Sequence, residues 1–179
     1  MARLLQYYRK EITSKLMNDF GYKNYLSVPR LEKIVLNMGV GEATSDSRHI
    51  QNALSDLRSI SGQQPIITRA RKSIAGFKLR QNQPIGVKVT LRSRIMYEFF
   101  DRLVNIALPR VRDFRGISER CFDGQGNFAF GIKEQIIFPE VGYQSAEMVR
   151  GLDVVIVTTS NTDQEAEKLL RAFNFPFSK

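Results

Sequence analysis

The sequence predicts an α+β fold in a single domain, with an antiparallel sheet that packs helices on one of its faces. Two observations favour this class. Helix-like and strand-like segments follow one another in the order αβαββαββα, and several neighbouring strands are close enough in the chain to form hairpins. A doubly wound parallel sheet would need a helical crossover between successive strands. The predicted arrangement leaves the opposite sheet face without helices, and therefore available to a partner.

The N-terminal part of the chain contains two predicted helices separated by a buried strand. Apolar residues recur at three- and four-residue steps over residues 2–20, and Gly21 stands where a helix cap belongs. The run over residues 31–38 is apolar in its centre and predicts a strand. Helical spacing returns over residues 46–61, and Gly62 ends that helix.

The middle of the chain predicts a hairpin with a long connection. One short strand covers residues 65–70, and a second covers residues 85–92. In the second strand, apolar and polar residues alternate strictly, as Val87, Val89 and Leu91 against Lys88, Thr90 and Arg92. Residues 71–84 between the strands are rich in bases and poor in apolar residues, and loops of this length tend to be functional or mobile. We therefore predict a protruding basic loop at residues 71–84.

The C-terminal part predicts two helices around two further strands. A helix over residues 93–108 is expected to bury one apolar stripe, made of Ile95, Met96, Phe99, Leu103, Ile106 and Ala107. A loop over 110–126 precedes strands at 127–134 and 152–159. The run Thr162-Asp-Gln-Glu165 has the pattern of a capping box and begins the last helix, which extends to about Asn174.

Composition excludes several protein classes. With 179 residues, 42% hydrophobic and 25% charged, the chain has the composition of a globular protein. A chain of this length buries about 70% of its unfolded surface, which is enough for one core without disulfides. The single cysteine, Cys121, fits a reducing compartment. No run approaches the ~20 apolar residues of a membrane-spanning helix, and charges interrupt the N-terminus too often for a secretory signal. We expect a soluble, cytosolic protein that is neither membrane-bound nor a homo-oligomer.

Positive charge is concentrated in one segment. The chain has 27 basic and 18 acidic residues, which gives a net charge of +9. Residues 57–97 contain no acid and nine bases, so this window of 41 residues accounts for the whole net charge. Such a segment can neutralise phosphates and release their counterions. The sequence therefore predicts a nucleic-acid partner, bound in part by the basic loop.

Motifs for cofactor or metal chemistry are weak. Gly39 and Gly41 follow a strand, but Thr44 stands where a dinucleotide-binding fingerprint has its third glycine, so we interpret this region as a structural turn. One histidine, His49, and one cysteine, Cys121, do not make a zinc site without carboxylates.

Acidic residues give no better sign of a catalytic site. The run at 123–127 does not have calcium-loop spacing, so a tight turn is expected there. The acids Glu134, Glu140 and Asp153 show no spacing typical of metal-assisted phosphodiester chemistry. We predict no catalytic residue, no metal and no cofactor.

Two aromatic positions have alternative interpretations. Phe128 and Phe130 are similar to the base-stacking strand of RNA-recognition domains, but with Ile132 they form an unbroken apolar face, which favours core packing. Phe77, among the bases of the loop, stacks on a nucleotide or anchors the loop to its own domain. The sequence supports both interpretations of Phe77 equally.

Several longer motifs resemble one known family. They are Leu36-Asn-Met-Gly-Val-Gly-Glu42, Ser61-Gly-Gln63, Thr68-Arg-Ala-Arg-Lys-Ser73 with Gly76-Phe-Lys-Leu-Arg80, Pro84-Ile-Gly86, Val89-Thr-Leu-Arg92, Pro109-Arg-Val-Arg-Asp-Phe-Arg-Gly116 and Glu134-Gln-Ile-Ile-Phe-Pro139. In this order they resemble the bacterial form of the large ribosomal subunit protein five family, and the likeness extends from the N-terminal helix to Phe175-Pro-Phe177. The fold predicted from the element order is similar to RNA-recognition and ferredoxin-like domains.

The resemblance implies a structural, non-enzymatic role in the central protuberance of the large ribosomal subunit. Family members bind 5S rRNA together with another 5S-binding large-subunit protein, and they contact 23S rRNA. Their long loop contacts the peptidyl-site tRNA, and another surface bridges to a protein of the small-subunit head. The family's specific 5S contacts correspond to Asn37, Gln63 and Thr90 in this sequence.

Charged residues complete the expected sites. Phosphate contacts to 5S rRNA are expected from Arg92, Lys10 and Lys15. The residues expected to face tRNA or rRNA from the loop are Arg69, Arg71, Lys72, Phe77, Lys78 and Arg80. Two alternatives remain from other classes: an RNA-processing enzyme, such as a metal-dependent nuclease that captures its substrate with the same loop, and a free RNA-recognition regulator.

Overall fold

A computed structural model of the chain describes residues 2–44, 46–141 and 148–178. Its strands are β1 (Leu31–Gly39), β2 (Ile66–Arg69), β3 (Pro84–Leu91), β4 (Phe128–Ile132) and β5 (Leu152–Thr158). They form one antiparallel sheet in the order β2-β3-β1-β5-β4. With four helices added to this sheet, the predicted α+β fold class is confirmed.

The first helix is continuous but changes its winding. It consists of α1 (Arg3–Tyr7), a π-helical turn (Tyr8–Ile12) and α2 (Thr13–Phe20). In the wider turn the Tyr8 carbonyl accepts from both the backbone N–H and the side-chain hydroxyl of Thr13, so it keeps its partners. Gly21 ends the helix at φ +67°, the left-handed conformation expected of a glycine cap.

The other helices are α3 (Arg48–Ser61), α4 (Ser93–Arg102) and α5 (Asp163–Ala172). Gly62 ends α3 at φ +67°, as the sequence predicts. At the start of α5, the Thr162 hydroxyl accepts from the Glu165 N–H, which confirms half of the capping box. The Glu165 carboxylate instead accepts from the Asn161 N–H with one oxygen and from the Tyr22 hydroxyl with the other. None of the helices in the described ranges is long and apolar enough to cross a membrane.

The chain folds into two compact units. Unit 1 comprises Met1–Ile34, Leu91–Phe130 and Val155–Lys179, and unit 2 comprises Val35–Thr90 and Gly131–Val154. Neither unit is a single stretch of chain, because the chain passes from one to the other several times. Each unit has buried apolar side chains of its own.

An aromatic cluster forms much of the unit 1 core. The Phe128 ring is fully buried, and its centroid lies 4.7 Å from that of Phe122, 5.3 Å from Phe175 and 5.6 Å from Phe177. Phe130 lies 5.7 Å from Phe128 and is only partly exposed. Rings packed edge-to-face in this way contribute to the core, so the interpretation of Phe128 as a core residue is confirmed.

The core of unit 2 lies between α3 and the sheet. From α3 the buried side chains include Ile50, Ala53, Leu57 and Ile60. From the strands they include Leu36, Met38, Val87, Val89 and Val154. These residues have the helical and alternating spacings that the sequence shows, because each element buries a single face.

The predicted stripe of the helix after β3 is wrong at two positions. Ile95 and Ile106 are 41% and 43% exposed, whereas Tyr97 and Phe100 are buried. The cause at Ile106 is a change in winding, since α4 ends at Arg102 and a π-helical turn covers Leu103–Ala107. That turn has more residues than an α-helical turn, and its buried residues are Leu103, Val104 and Ala107. Ile95 lies in the first turn, at the edge of the buried stripe.

The boundaries of β4 and α5 are among those that differ from prediction. Strand β4 covers five residues and not the eight predicted at 127–134, since it ends at Ile132 and a 3₁₀ turn, Gln135–Ile137, follows after two residues. Helix α5 ends at Ala172, and Asn174 has φ +60°, which is incompatible with a continued helix.

Candidate nucleic-acid interface

Strand β3 carries the polar face of unit 2. Its residues alternate as predicted, with Val87, Val89 and Leu91 buried, Lys88 exposed and Thr90 partly exposed. The Lys88 and Thr90 side chains therefore leave the sheet on the side opposite the core.

Asn37 lies beside Lys88 on this face. The Val40 N–H donates to the Ile85 carbonyl at 2.9 Å, and in an antiparallel pair this bond places Asn37 opposite Lys88. On the other side of β3, Ile66 of β2 is paired with Lys88. A row of side chains thus crosses three strands. We call this row, with its neighbours, the open face: Asn37, Ile66, Thr68, Lys88, Thr90 and Asp153.

Asp153 orients the Asn37 amide. The Asn37 Nδ2 donates to Asp153 Oδ2 at 3.3 Å, and Asp153 is exposed on β5. The bond leaves the Asn37 amide oxygen and its second N–H available to another molecule. Asn37 is therefore presented as a directed donor and acceptor at the surface.

Gln63 extends the open face from the end of α3. Its backbone is fixed by Ser61, whose hydroxyl donates to the Gln63 carbonyl at 2.9 Å and accepts from its N–H at 3.2 Å. The Gln63 Nε2 lies 3.4 Å from the Thr90 carbonyl. A groove of about 400 Å³ runs between these elements, lined by Gln63, Gln64, Ile66, Thr68, Lys88, Val89 and Thr90.

The six residues predicted to bind 5S rRNA fall into two groups. Asn37, Gln63 and Thr90 all belong to unit 2, where strand pairing and the Gln63 side chain relate them. The bases Arg92, Lys10 and Lys15 belong to unit 1 and are exposed there, Lys10 on the π-helical turn and Lys15 on α2. The Arg92 guanidinium lies 3.5 Å from the Glu32 carboxylate in an exposed ion pair. Each group is thus accessible.

The connection between β2 and β3 has internal structure. Ile74 and Leu79 form a β-bridge, and a 3₁₀ turn, Ala75–Phe77, closes the short hairpin between them. At its base the Arg69 Nη1 donates to the Asn82 carbonyl at 3.1 Å. That residues 71–84 protrude as one long basic loop stays a prediction.

The basic side chains of the connection between β2 and β3 are exposed to solvent. Arg71, Lys72, Lys78 and Arg80 are exposed, and in the described part of the chain none of them forms an ion pair. Phe77 is 73% exposed, so most of its side chain is accessible to another molecule. The segment therefore combines free cations with an exposed aromatic ring, a combination typical of single-strand RNA contacts.

The run at 123–127 forms the predicted turn. The Asp123 carboxylate accepts from the Gln125 N–H at 2.9 Å, the Asn127 N–H at 3.0 Å and the Asn127 Nδ2 at 2.8 Å. The Asn127 side-chain bond is the main cause that lowers the pKa of Asp123, and the two backbone bonds add to it. The carboxylate is used within the turn. Within residues 2–44, 46–141 and 148–178, no three His, Cys, Asp or Glu side chains gather as metal ligands.

Two family matches cover most of the chain. Residues 24–80 match the family described as Ribosomal protein L5, and residues 84–177 match the family described as the ribosomal L5P family C-terminus. The second match alone spans more than half of the chain. The chain belongs to the ribosomal L5 family. As an L5-family protein it is a structural, non-enzymatic component of the ribosome that binds rRNA in the large subunit, and the ribosome lies in the cytoplasm.

The open face of this L5-family protein draws on both matches. Asn37 and Gln63 lie in the first matched region, and Thr90 lies in the second. The matches meet between residues 80 and 84, at the end of the basic connection. Pairing of β3 with both β2 and β1 brings the two matched regions to the same surface.

Sequence reasoning did not select Lys88, Gln64 or Asp153 as binding residues. Lys88 had a usable signal, because it stands between Val87 and Val89 on the polar side of an alternating strand. The sequence presents Asp153 only as one of several scattered acids. No local pattern places it beside Asn37, since the two are 116 residues apart in the chain.

Proposed function

We propose that this L5-family protein binds 5S rRNA through the open face and Gln63, with Asn37, Gln63 and Thr90 as its specific contacts. The observation that supports the proposal is their grouping around Lys88: Gln63 and Thr90 line one groove with Lys88, and Asn37 lies opposite Lys88 on the next strand. An amide, a second amide and a hydroxyl thus share a surface with the exposed Lys88 ammonium.

This set of groups suits RNA in particular. Uncharged amides and hydroxyls exchange hydrogen bonds with ribose 2′-hydroxyls and with base edges, whereas point charges bind any phosphate. The Lys88 ammonium then supplies the phosphate contact that positions the strand. Asp153 adds selectivity, because its negative charge repels phosphate. Its carboxylate oxygens accept hydrogen bonds from base amino groups or 2′-hydroxyls beside Asn37.

The remaining bases are assigned to less specific contacts. Arg92, Lys10 and Lys15 neutralise phosphates of 5S rRNA from unit 1. The residues between β2 and β3 contact peptidyl-site tRNA and 23S rRNA, because their free cations and exposed Phe77 suit unstacked nucleotides. The chain acts as a single RNA-binding domain in the central protuberance, together with another 5S-binding protein and with a bridge to a protein of the small-subunit head.

The test replaces the three polar side chains together, as Asn37→Ala, Gln63→Ala and Thr90→Ala, and measures 5S rRNA affinity by gel-shift titration. Each lost side-chain contact weakens binding by about 1–3 kcal/mol, so the triple variant is expected to lose at least a hundredfold in affinity. A matched control removes the same chemical groups from the exposed side of α3, as Gln51→Ala, Asn52→Ala and Ser59→Ala.

Circular dichroism of both triple variants must show the same fold and a similar unfolding midpoint. An affinity of the first variant within twofold of the control would reject the assignment of these residues. The RNA that copurifies with the untagged protein at moderate salt checks the wider proposal, because a discrete small rRNA fits neither a nuclease nor a free regulator.

A further inference from the structure

Unit 1 contains a pocket that the proposed 5S site does not use. It has a volume of about 660 Å³, opens to solvent, and is lined by α1, the π-helical turn, the segment before β1 and the first residues of β1 and α4. All of its lining residues belong to unit 1. No residue of the open face lines this pocket.

The floor of the pocket is aromatic and rigid. Tyr8 and Tyr97 are both buried, and the Tyr8 hydroxyl donates to the Pro29 carbonyl at 2.9 Å, which fixes the ring. Met96 and Val28 fill the space around them. The floor therefore offers a flat apolar surface and no unpaired charge.

The rim carries two large side chains that the fold leaves uncovered. Tyr25 is 51% exposed and Leu26 is 76% exposed. They are held by a 3₁₀ turn, Tyr25–Ser27, which Asn24 caps by accepting from the Leu26 N–H at 2.9 Å. A rigid turn thus holds an aromatic ring at the mouth of the pocket.

The rim is also positively charged. Arg9 and Arg30 line it and are exposed, whereas the Glu32 carboxylate is engaged by Arg92 at 3.5 Å and by Lys33 at 3.9 Å. The Arg30 backbone is fixed, because its N–H donates to Thr159 Oγ1 at 3.0 Å and its carbonyl accepts from the Thr159 N–H at 2.9 Å.

Arg9 and Arg30 line the same pocket as Tyr97, and their charges act on the Tyr97 ring. Burial is the main cause that raises the pKa of Tyr97, and the positive charges of Arg30 and Arg9 act in the opposite direction. Tyr97 is thus a neutral ring that experiences the field of two cations.

We propose that this pocket receives one unstacked nucleotide of RNA, whose base stacks on Tyr25 above the floor of Tyr8 and Tyr97 while Arg9 and Arg30 bind the flanking phosphates. Charge selects this occupant, since an anionic chain with a flat aromatic unit at each step satisfies the cationic rim and the aromatic floor together. An apolar protein segment would leave both arginines without a partner. The site is additional to the proposed 5S contacts.

The test uses the full chain and a fluorescein-labelled decamer of adenylate, with binding measured by fluorescence anisotropy. Tyr25→Leu keeps an apolar side chain but removes the ring, and the loss of one base–aromatic stack is expected to weaken binding about tenfold. Tyr25→Phe keeps the ring and is expected to bind the decamer at least fivefold more tightly than Tyr25→Leu does. The double variant Arg9→Gln with Arg30→Gln is expected to weaken binding and to reduce its salt dependence.

Two controls separate this site from the others. Ile106→Ala removes a comparably exposed apolar side chain of unit 1 outside the pocket and is expected to bind like the parent chain. Phe77→Ala reports how much of the decamer binds at the basic connection of unit 2. Equal affinities for Tyr25→Leu and the parent chain would overturn the proposal, and so would equal losses in Tyr25→Leu and Tyr25→Phe, because the ring would then be irrelevant.

The same variants are titrated with 5S rRNA. The triple variant Asn37→Ala, Gln63→Ala and Thr90→Ala tests the open face, and its result does not depend on Tyr25. Loss of decamer binding in the Tyr25→Leu variant supports the pocket even if the triple variant binds 5S rRNA normally. The failure of either proposal is thereby distinguishable from failure of the other.

Discussion

Asp56 and Arg150 form an ion pair in the interior of unit 2. The Arg150 Nη1 lies 3.4 Å from the Asp56 Oδ2, and the side chains of Arg150 and Asp56 are only 6% and 1% exposed, respectively. Gln135 holds the arginine from the other side, since its Oε1 accepts from the Arg150 N–H at 2.5 Å and its Nε2 donates to the Met148 carbonyl at 2.9 Å. The pair therefore connects α3 to the chain just before β5.

Breaking this pair from one side is expected to be costly. Arg150→Met leaves a carboxylate buried without its cation, which lowers the free energy of unfolding by about 3–5 kcal/mol. The double variant Asp56→Leu with Arg150→Met is expected to recover most of that loss, because no buried charge remains. Urea unfolding followed by circular dichroism measures both, with Arg58→Met on the exposed side of α3 as the control. A double variant less stable than Arg150→Met alone would contradict this account.

A side chain at Gly86 is expected to destabilise the sheet, because the neighbouring strands leave no space for it. A Cβ atom at Gly86 would lie 2.8 Å from the Met38 carbonyl oxygen and 3.0 Å from Thr68 Oγ1, and the carbonyl belongs to the backbone of β1. Gly86→Ala is therefore expected to lower the free energy of unfolding by about 1–3 kcal/mol. Gly39→Ala is the control, since no atom lies within 4 Å of its added Cβ. Equal unfolding midpoints for the two variants would contradict this account, because they would show that β1 and β3 accommodate the added methyl group at Gly86.

Lys88 is expected to contribute charge and little specificity. Lys88→Gln removes one phosphate contact, so 5S rRNA affinity should fall at low salt and the slope of log K against log [salt] should decrease by about 1. Asn37→Ala is expected to lower affinity while leaving that slope unchanged. Lys168→Gln, an exposed lysine on α5, serves as the charge control. A slope unaffected by Lys88→Gln would place the phosphate backbone away from β3.

The tip of the connection between β2 and β3 is expected to act separately from the open face. Residues 75–78 lie between the bridged pair Ile74 and Leu79, so a Gly-Gly turn in their place can close the hairpin without disturbing its base. This variant is expected to bind 5S rRNA with unchanged affinity. It should bind peptidyl-site tRNA more weakly on assembled ribosomes, measured by filter binding. Equal loss of both activities would show that the two surfaces are not independent.

Local patterns in the sequence predicted most elements, because the helix ends and strand faces depend on near neighbours. Gly21 and Gly62 end their helices in the left-handed conformation, and Val87 and Val89 are buried as their alternation indicates. The prediction failed at Ile106, because the π-helical turn that contains it depends on how the helix packs and changes the spacing that the pattern assumes.

The candidate site was predictable only in part. The resemblance to the L5 family supplied Asn37, Gln63 and Thr90, but their proximity comes from strand pairing. Asn37 on β1 contacts Asp153 on the neighbouring strand β5. Gln63, which precedes β2, contacts the Thr90 carbonyl near the end of β3, 27 residues later in the chain. The pocket at Tyr25 had no signal at all in the sequence, since an exposed tyrosine in a turn looks the same with or without a cavity beneath it.

The sequence by itself determined the family, the fold class and the location of the positive charge, because motifs, periodicity and residue type are local properties of the chain. The tertiary structure decided which charges are free and which are paired. Arg71 and Lys88 stand in solvent, whereas Arg150, no different in type, is buried against Asp56. The reason is physical: a charge leaves water only where distant parts of the chain supply its counterion and hydrogen bonds, and pairing across 94 residues is decided by folding.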